Sequence, residues 1–209
     1  MTEILRERNR RGEGGKLRAD ILAGATSLLE QTGSEEAVTL RAVAREVGIS
    51  APSIYAHFAD REAIVDAIVD TAFADFNAAV RAATAGVADP VERLRTGCAA
   101  YVRFAAERPN RYKLIFERQY RIARPDEPVP AIRRQSFEAL VALVQACIDA
   151  GLSASTDATL DSTAIWVALH GYATLHALMP GWPWPDDDAL LDRIVYGHGK
   201  ITGPEYFAS

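Results

Sequence analysis

The chain has 209 residues, 49% of them hydrophobic and 24% charged, with a formal net charge of −5. That much apolar material can bury the core of one ordinary domain or two small ones, which excludes a disordered chain. No run approaches the ~18 uninterrupted apolar residues that cross a bilayer, and the charged start lacks the apolar run of a secretory signal, so a cytosolic protein without a membrane partner is expected.

An acidic chain repels nucleic acid on average, so contact with it requires a local concentration of positive charge. One lies near the start, between Ile4 and Arg18: Arg6, Arg8, Arg10, Arg11, Lys16 and Arg18 stand against only Glu7 and Glu13, with Gly12, Gly14 and Gly15 between them. Residues 1–16 therefore read as a flexible basic arm, although the same composition also suits a merely solvated tail.

From there the apolar residues recur every three or four positions and nowhere alternate at two, which predicts an all-α fold. A first helix carries Leu17, Ile21, Leu22, Ala25, Leu28 and Leu29 and stops at Gly33. Thr39 is placed to cap a short second helix with Val43, Ala44 and Val47 inward and Gly48 as its stop. Ser50 is placed to cap a third, Ala51 to His57, in which Pro52 is tolerated because first-turn amides have no intrahelical acceptor to lose. Asp60 opens a long fourth helix with Ile64, Ile68, Val69, Phe73 and Phe76 inward, while Glu30 and Glu62 read as unremarkable surface acids.

Beyond Asp89 and Pro90 the pattern resumes through Leu94, Cys98, Tyr101 and Ala105 until Arg108 and Pro109 break it. A short helix with Tyr112, Ile115 and Phe116 follows, and then a proline-rich surface connection from Arg124 to Pro130. Phe137, Leu140, Val144 and Ile148 mark a further helix ending at Gly151. From Leu160 to Met179 the chain is apolar on almost every side, the mark of a helix buried by more than one neighbour. After the Pro180 to Pro185 break, Asp186, Asp187 and Asp188 suit the positive N-terminal end of a last helix. Cys98 and Cys147, far apart and outside any CxxC, read as small buried hydrophobes.

Two short helices joined by a glycine turn, behind a longer one, are the minimal design of a DNA reader: one props, the other enters a major groove about 12 Å wide. Residues Thr39 to His57 have that design. Small residues at the front of the third helix (Ala51, Pro52, Ser53) allow close approach, and Tyr55, His57 and Arg61 can contact phosphates, which position the protein without reading sequence. The candidate DNA-facing set is Lys16, Arg18, Thr39, Arg41, Ser50, Ala51, Pro52, Ser53, Tyr55, His57 and Arg61. One short helix contacts too few bases for selectivity, so a homodimer on a near-palindromic operator is expected, joined through Leu160–Met179 and Asp188–Tyr196.

The run from Thr39 to Ile64 resembles the helix-turn-helix signature of the tetracycline-repressor (TetR) family, with Thr39, Ala44, Gly48, Ser50, Tyr55, His57, Phe58 and Glu62 in order. It departs at Pro52, where many members carry glycine, and at Arg61, where most carry lysine. The resemblance extends from Leu17 to Phe73. Further on, Trp166, His170 and Gly171 resemble a Trp-His-Gly-type effector segment of one branch of the family, and Arg108 to Phe116 resembles a segment preceding it. The resemblance implies an all-helical effector and dimerisation domain, and repression in preference to activation. The expected organisation is thus a basic arm (1–16), a helix-turn-helix domain (17–62) and a helical effector-binding and dimerisation domain (63–209).

Catalysis is not expected. His57, His170, His176 and His198 are scattered without the i, i+4 spacing of a zinc pair, and no glycine-rich phosphate loop or Gly-x-Ser-x-Gly elbow occurs, so no metal or cofactor is assigned. The aromatic residues past the reader can instead enclose a small apolar or aromatic effector, with Tyr101, Phe104, Tyr112, Phe116, Phe137, Trp166 and His170 as candidate lining. Each of these also fits plain core packing, with His170 bonded to a carbonyl. The alternative function is a helical DNA-binding adaptor controlled by a protein partner, without a small ligand.

Overall fold

A computed structural model describes residues 14–122, 130–203 and 206, so the basic arm up to residue 13 and most of the proline-rich connection lie outside the described residues. Among the described residues the chain forms α1 (Gly14–Thr32), a 3₁₀ turn (Glu35–Ala37), α2 (Leu40–Val47), α3 (Ala51–Ile54), α4 (Arg61–Thr84), α5 (Pro90–Glu107), α6 (Pro109–Ile122), α7 (Ala131–Asp149), α8 (Ala158–Leu178) and α9 (Asp187–His198). The described chain has no β-strand and is all-α, its extended pairing confined to one isolated bridge between Ser153 and Ile201.

The helix starts follow the caps. The side chains of Thr39, Asp89, Asp157 and Asp186 accept from the amides of Ala42, Glu92, Leu160 and Ala189, each satisfying an orphan donor of the first turn. Gly48 ends α2 at φ 73°, a left-handed conformation that a side chain would strain, and the Ile49 amide closes back on Ala44 O at 2.9 Å.

The chain divides into two units, Met1–Ala72 with Asn110–Ala123 and Phe73–Pro109 with Arg124–Ser209. The division thus falls inside α4, later than the expected break after residue 62, and it assigns α6 to the first unit. Polar contacts explain the second point: Asn110 Nδ2 donates to Glu30 O at 3.1 Å and Arg111 Nε to Glu30 Oε1 at 2.6 Å. Glu30, read from sequence as an unremarkable surface acid, therefore fastens α6 to the end of α1.

In the first unit α1 packs on α2 and α2 on α3. Ile21, Ala25, Leu29, Val43, Ile54 and Phe58 are buried. Burying such side chains contributes roughly 1.5–3 kcal/mol each. Gly24 lets α1 and α2 approach, since a Cβ there would stand 2.6 Å from Val47 Cγ2.

In the second unit α5 packs against α7, α8 and α9, and α8 against α7 and α9. Leu94, Cys98, Val144, Cys147, Ile165 and Leu169 are buried. Both cysteines are free, and burial pushes their thiols up to about 12 for Cys98 and about 11 for Cys147, which keeps them unreactive. The segment after α9 returns to the start of α8. Ala154 N donates to Lys200 O at 2.9 Å and Thr202 N to Leu152 O at 3.1 Å, while Lys200 Nζ stands 2.9 Å from the buried Asp161 carboxylate.

Helix α8 has more than one neighbour, as its sequence led us to expect, packing on α5, α7 and α9, while Leu160, Val167, Leu175 and Leu178 on its remaining surface are 62, 61, 47 and 67% exposed.

Candidate functional site

The turn between α2 and α3 places the candidate DNA-facing residues. Thr39 sits at the cap of α2, and Arg41 is exposed on its first turn. Helix α3 is one turn, Ala51–Ile54, and ends before the expected His57 because the chain tightens there: the amides of His57 and Phe58 both donate to Ile54 O, at 2.8 and 3.0 Å. Ser50 holds the cap position but makes no side-chain cap bond, since its Oγ instead pairs with Ser53 Oγ at 2.7 Å. Pro52 is exposed, Tyr55 is 59% exposed and His57 is half-buried.

Lys16 and Arg18 are exposed on α1, and the Arg18 guanidinium lies 4.7 Å from the centroid of the Phe58 ring, which orients it beside the reader. Arg61 is placed differently from the phosphate contact expected of it. Its Nε donates to Val38 O at 3.0 Å and Nη2 to Glu35 O at 2.6 Å, while Nη1 pairs with Glu62 at 2.5 Å. The side chain therefore clamps the 3₁₀ turn to the head of α4, and Glu62, like Glu30, is more than a surface acid. Sequence reading missed this clamp because its partners are backbone carbonyls, which carry no residue signature.

The candidate effector residues divide between the units. Tyr112 and Phe116 lie on α6 in the first, with ring centroids 4.8 Å apart. The second unit brings the others together. Phe76, on the inward stripe of α4, meets Tyr101 and Phe104 edge-on at 5.5 and 5.4 Å. Tyr101 Oη and His170 Nδ1 are 3.3 Å apart, so a hydroxyl is one partner of His170. Phe137 and Trp166 lie 6.0 Å apart. Burial lowers the pKa of His170, which keeps its ring neutral near pH 7. A shallow recess of about 90 Å³ adjoins Phe104 and is rimmed by Asp75, Arg103, Glu107 and Arg108.

A short helix pair joined by a left-handed glycine, with an exposed tyrosine and a half-buried histidine at its end and an all-α second unit, defines a helix-turn-helix DNA-binding regulator. The comparisons with known proteins agree. Residues 21–68 match the family described as bacterial regulatory proteins, tetR family, and residues 94–196 match a tetracyclin repressor-like C-terminal domain, a span that includes Trp166, His170 and Gly171. The chain belongs to the TetR family of transcriptional regulators. Among solved structures, a protein of unknown function from a Rhodococcus species is 27% identical with a TM-score of 0.78, the match covering 91% of this chain and 97% of that one. The TetR family transcriptional regulator PfmR from Thermus thermophilus is 25% identical with a TM-score of 0.62, over 84% and 96%. A TetR-family transcriptional regulator from Pectobacterium atrosepticum, 20% identical over 93% and 99% with a TM-score of 0.68, shares the fold.

Proposed function

We propose that the chain is a homodimeric repressor that binds a near-palindromic operator through α2 and α3 and is released from it by a small, mostly apolar or aromatic effector. The observation that carries the DNA part is the exposed end of the reader: Pro52 and Tyr55 stand out from a turn that the buried Ile54 and Phe58 anchor. In this reading Tyr55 and His57 position the reader on phosphates, and Ser53 and Pro52 face the bases. Arg61 acts by holding the reader together.

The open stripe on α8 supports the dimer. Leu160, Val167 and Leu178 recur at intervals of seven and eleven on one side of the helix, and an apolar row of that length is favourably covered by a second copy of the same helix with α9 beside it. The aromatic group of the second unit supports the effector, since its polar pair, Tyr101 and His170, can orient a ligand otherwise held by Phe76, Phe104, Phe137 and Trp166. Helix α4 supplies the physical route. The helix is continuous from Ile64 and Ile68 to Phe73 and Phe76, so in this reading repacking around Phe76 is passed along it toward its head, where Arg61 sits.

A ligand shifts an equilibrium only by its differential affinity for two states, so an effector preferring the DNA-free state ~100-fold weakens operator binding by about 2.7 kcal/mol. Calorimetry with and without saturating operator tests this. The reading requires effector affinity to fall by the same factor when operator is bound, and equal affinities contradict it.

A further inference from the structure

In the second unit, Arg133 is a cation whose surroundings are incomplete. It lies on α7 at helical spacing from Phe137, Leu140, Val144 and Cys147, the stripe that ends in the core. Its guanidinium carbon stands 5.7 Å from the centroid of the Phe73 ring, and its Nε is buried with no hydrogen-bond partner among the described residues. The polar neighbours do not supply an acceptor. Ser136 Oγ donates to Asn77 Oδ1 at 2.7 Å, and Asn77 Nδ2 in turn donates to Ile132 O at 3.4 Å, so this pair satisfies itself. The other polar pair, Tyr101 with His170, brings no negative charge.

A buried donor on a charged group left without an acceptor is costly. Arg93 Nε shares that state, but of the two only Arg133 lies over an aromatic face, that of Phe73. The arrangement is that of a binding group prepared in advance. The face of Phe73 fixes the plane of the guanidinium, and a planar guanidinium fork matches a carboxylate in two parallel hydrogen bonds. The rings around it call for an apolar body on the same molecule. We propose that the effector is an organic carboxylate, an aryl or acyl acid, whose charged end is held by Arg133 while its body lies among Phe73, Phe76 and Phe137. This rests on the effector-released regulator argued above and assigns the chemical class of the ligand at that site.

The test uses the full chain in a thermal-shift assay with benzoate, phenylacetate and octanoate, each beside its neutral amide, on wild type and on Arg133→Met. The acids are expected to raise the melting temperature of the wild type and the amides to leave it unchanged, with the half-saturating acid concentration rising at least tenfold in Arg133→Met. A second readout needs no ligand. Arg133→Met alone is expected to melt higher than wild type, because it removes a half-buried cation whose buried Nε has no acceptor among the described residues, whereas a structural arginine would melt lower when lost. A lower melting temperature for the ligand-free variant overturns the proposal. Amides that match or replace the acids overturn it and leave the effector reading standing, and a panel in which neither acids nor amides act overturns both.

Discussion

Arg111 and Glu30 join two helices far apart in the sequence: the guanidinium Nε of α6 donates to the carboxylate of α1 at 2.6 Å, with Arg111 largely buried and Glu30 half-exposed. Beside them Asn110 donates to Glu30 O, next to Gly33, whose φ of 65° turns the chain out of α1. Partial exposure limits the ion pair to about 1 kcal/mol. Arg111→Ala and Glu30→Ala are each expected to lower stability by about that amount, and the double variant by less than the sum. Urea unfolding of the four proteins checks it, and strict additivity would show that the pair is not coupled.

At the reader, Tyr55→Phe and His57→Ala are expected to weaken binding to a specific and a scrambled operator alike, by roughly the worth of one hydrogen bond, about 1 kcal/mol. Pro52→Gly and Ser53→Ala are expected to change which sequence is preferred. Arg61→Ala behaves differently from both groups, because its donors go to Val38 O and Glu35 O. It should lower the melting temperature while leaving the salt dependence of binding unchanged.

Removal of residues 1–15 bears on the basic arm. If its arginines meet phosphates, each lost contact flattens the logarithmic salt slope by about 0.9. Binding curves at several salt concentrations decide this, and an unchanged slope would identify a solvated tail.

The open stripe of α8 gives a prediction for assembly. Val167→Glu and Leu178→Glu place charges where apolar area would be covered, and each is expected to yield monomers at micromolar concentration by light scattering, where wild type gives dimers. A dimeric Val167→Glu protein would place the interface elsewhere.

The Asp161 and Lys200 pair links the C-terminal segment to pH. Burial works to raise the Asp161 carboxyl, but the nearby Ser155 hydroxyl, the Lys200 ammonium 2.9 Å from Oδ2 and His198 outweigh it and hold the group below the usual carboxylate range. A depressed carboxyl contributes stability that is present above its unfolded pKa, ~3.9, and is lost as pH falls through the lower folded value. Asp161→Asn is therefore expected to cost about 1–3 kcal/mol at pH 7 and to flatten the loss of stability in acid. Lys200→Met, which brings the folded pKa of Asp161 up toward the unfolded one, should lower stability at pH 7 and shrink that loss in acid. Melting curves from pH 3 to 7 read both.

Much of this architecture was legible in the sequence because it depends on local signals. Thr39, Gly48, Asp89 and Asp186 mark helix ends by their own chemistry, and the three-to-four spacing of Ile21, Ala25 and Leu29 marks a buried stripe. What was not legible depends on partners distant in the chain. The early end of α3 follows from two amides sharing Ile54 O, the role of Glu30 follows from Arg111, and the bridge between Ser153 and Ile201 joins segments with no periodic pattern. Arg133 escaped notice because a cation at an apolar-stripe position reads as a frayed edge of the stripe until its missing acceptor is seen.

Selection of bound sequences from random DNA by the purified full chain decides whether α2 and α3 of two copies read an operator. Recovery of a near-palindrome whose half-sites lie about one helical turn or a multiple apart is expected, with the preferred sequence altered in Pro52→Gly and Ser53→Ala. Recovered DNA without a shared motif, or a motif of a single half-site bound by a monomer, would contradict that reading.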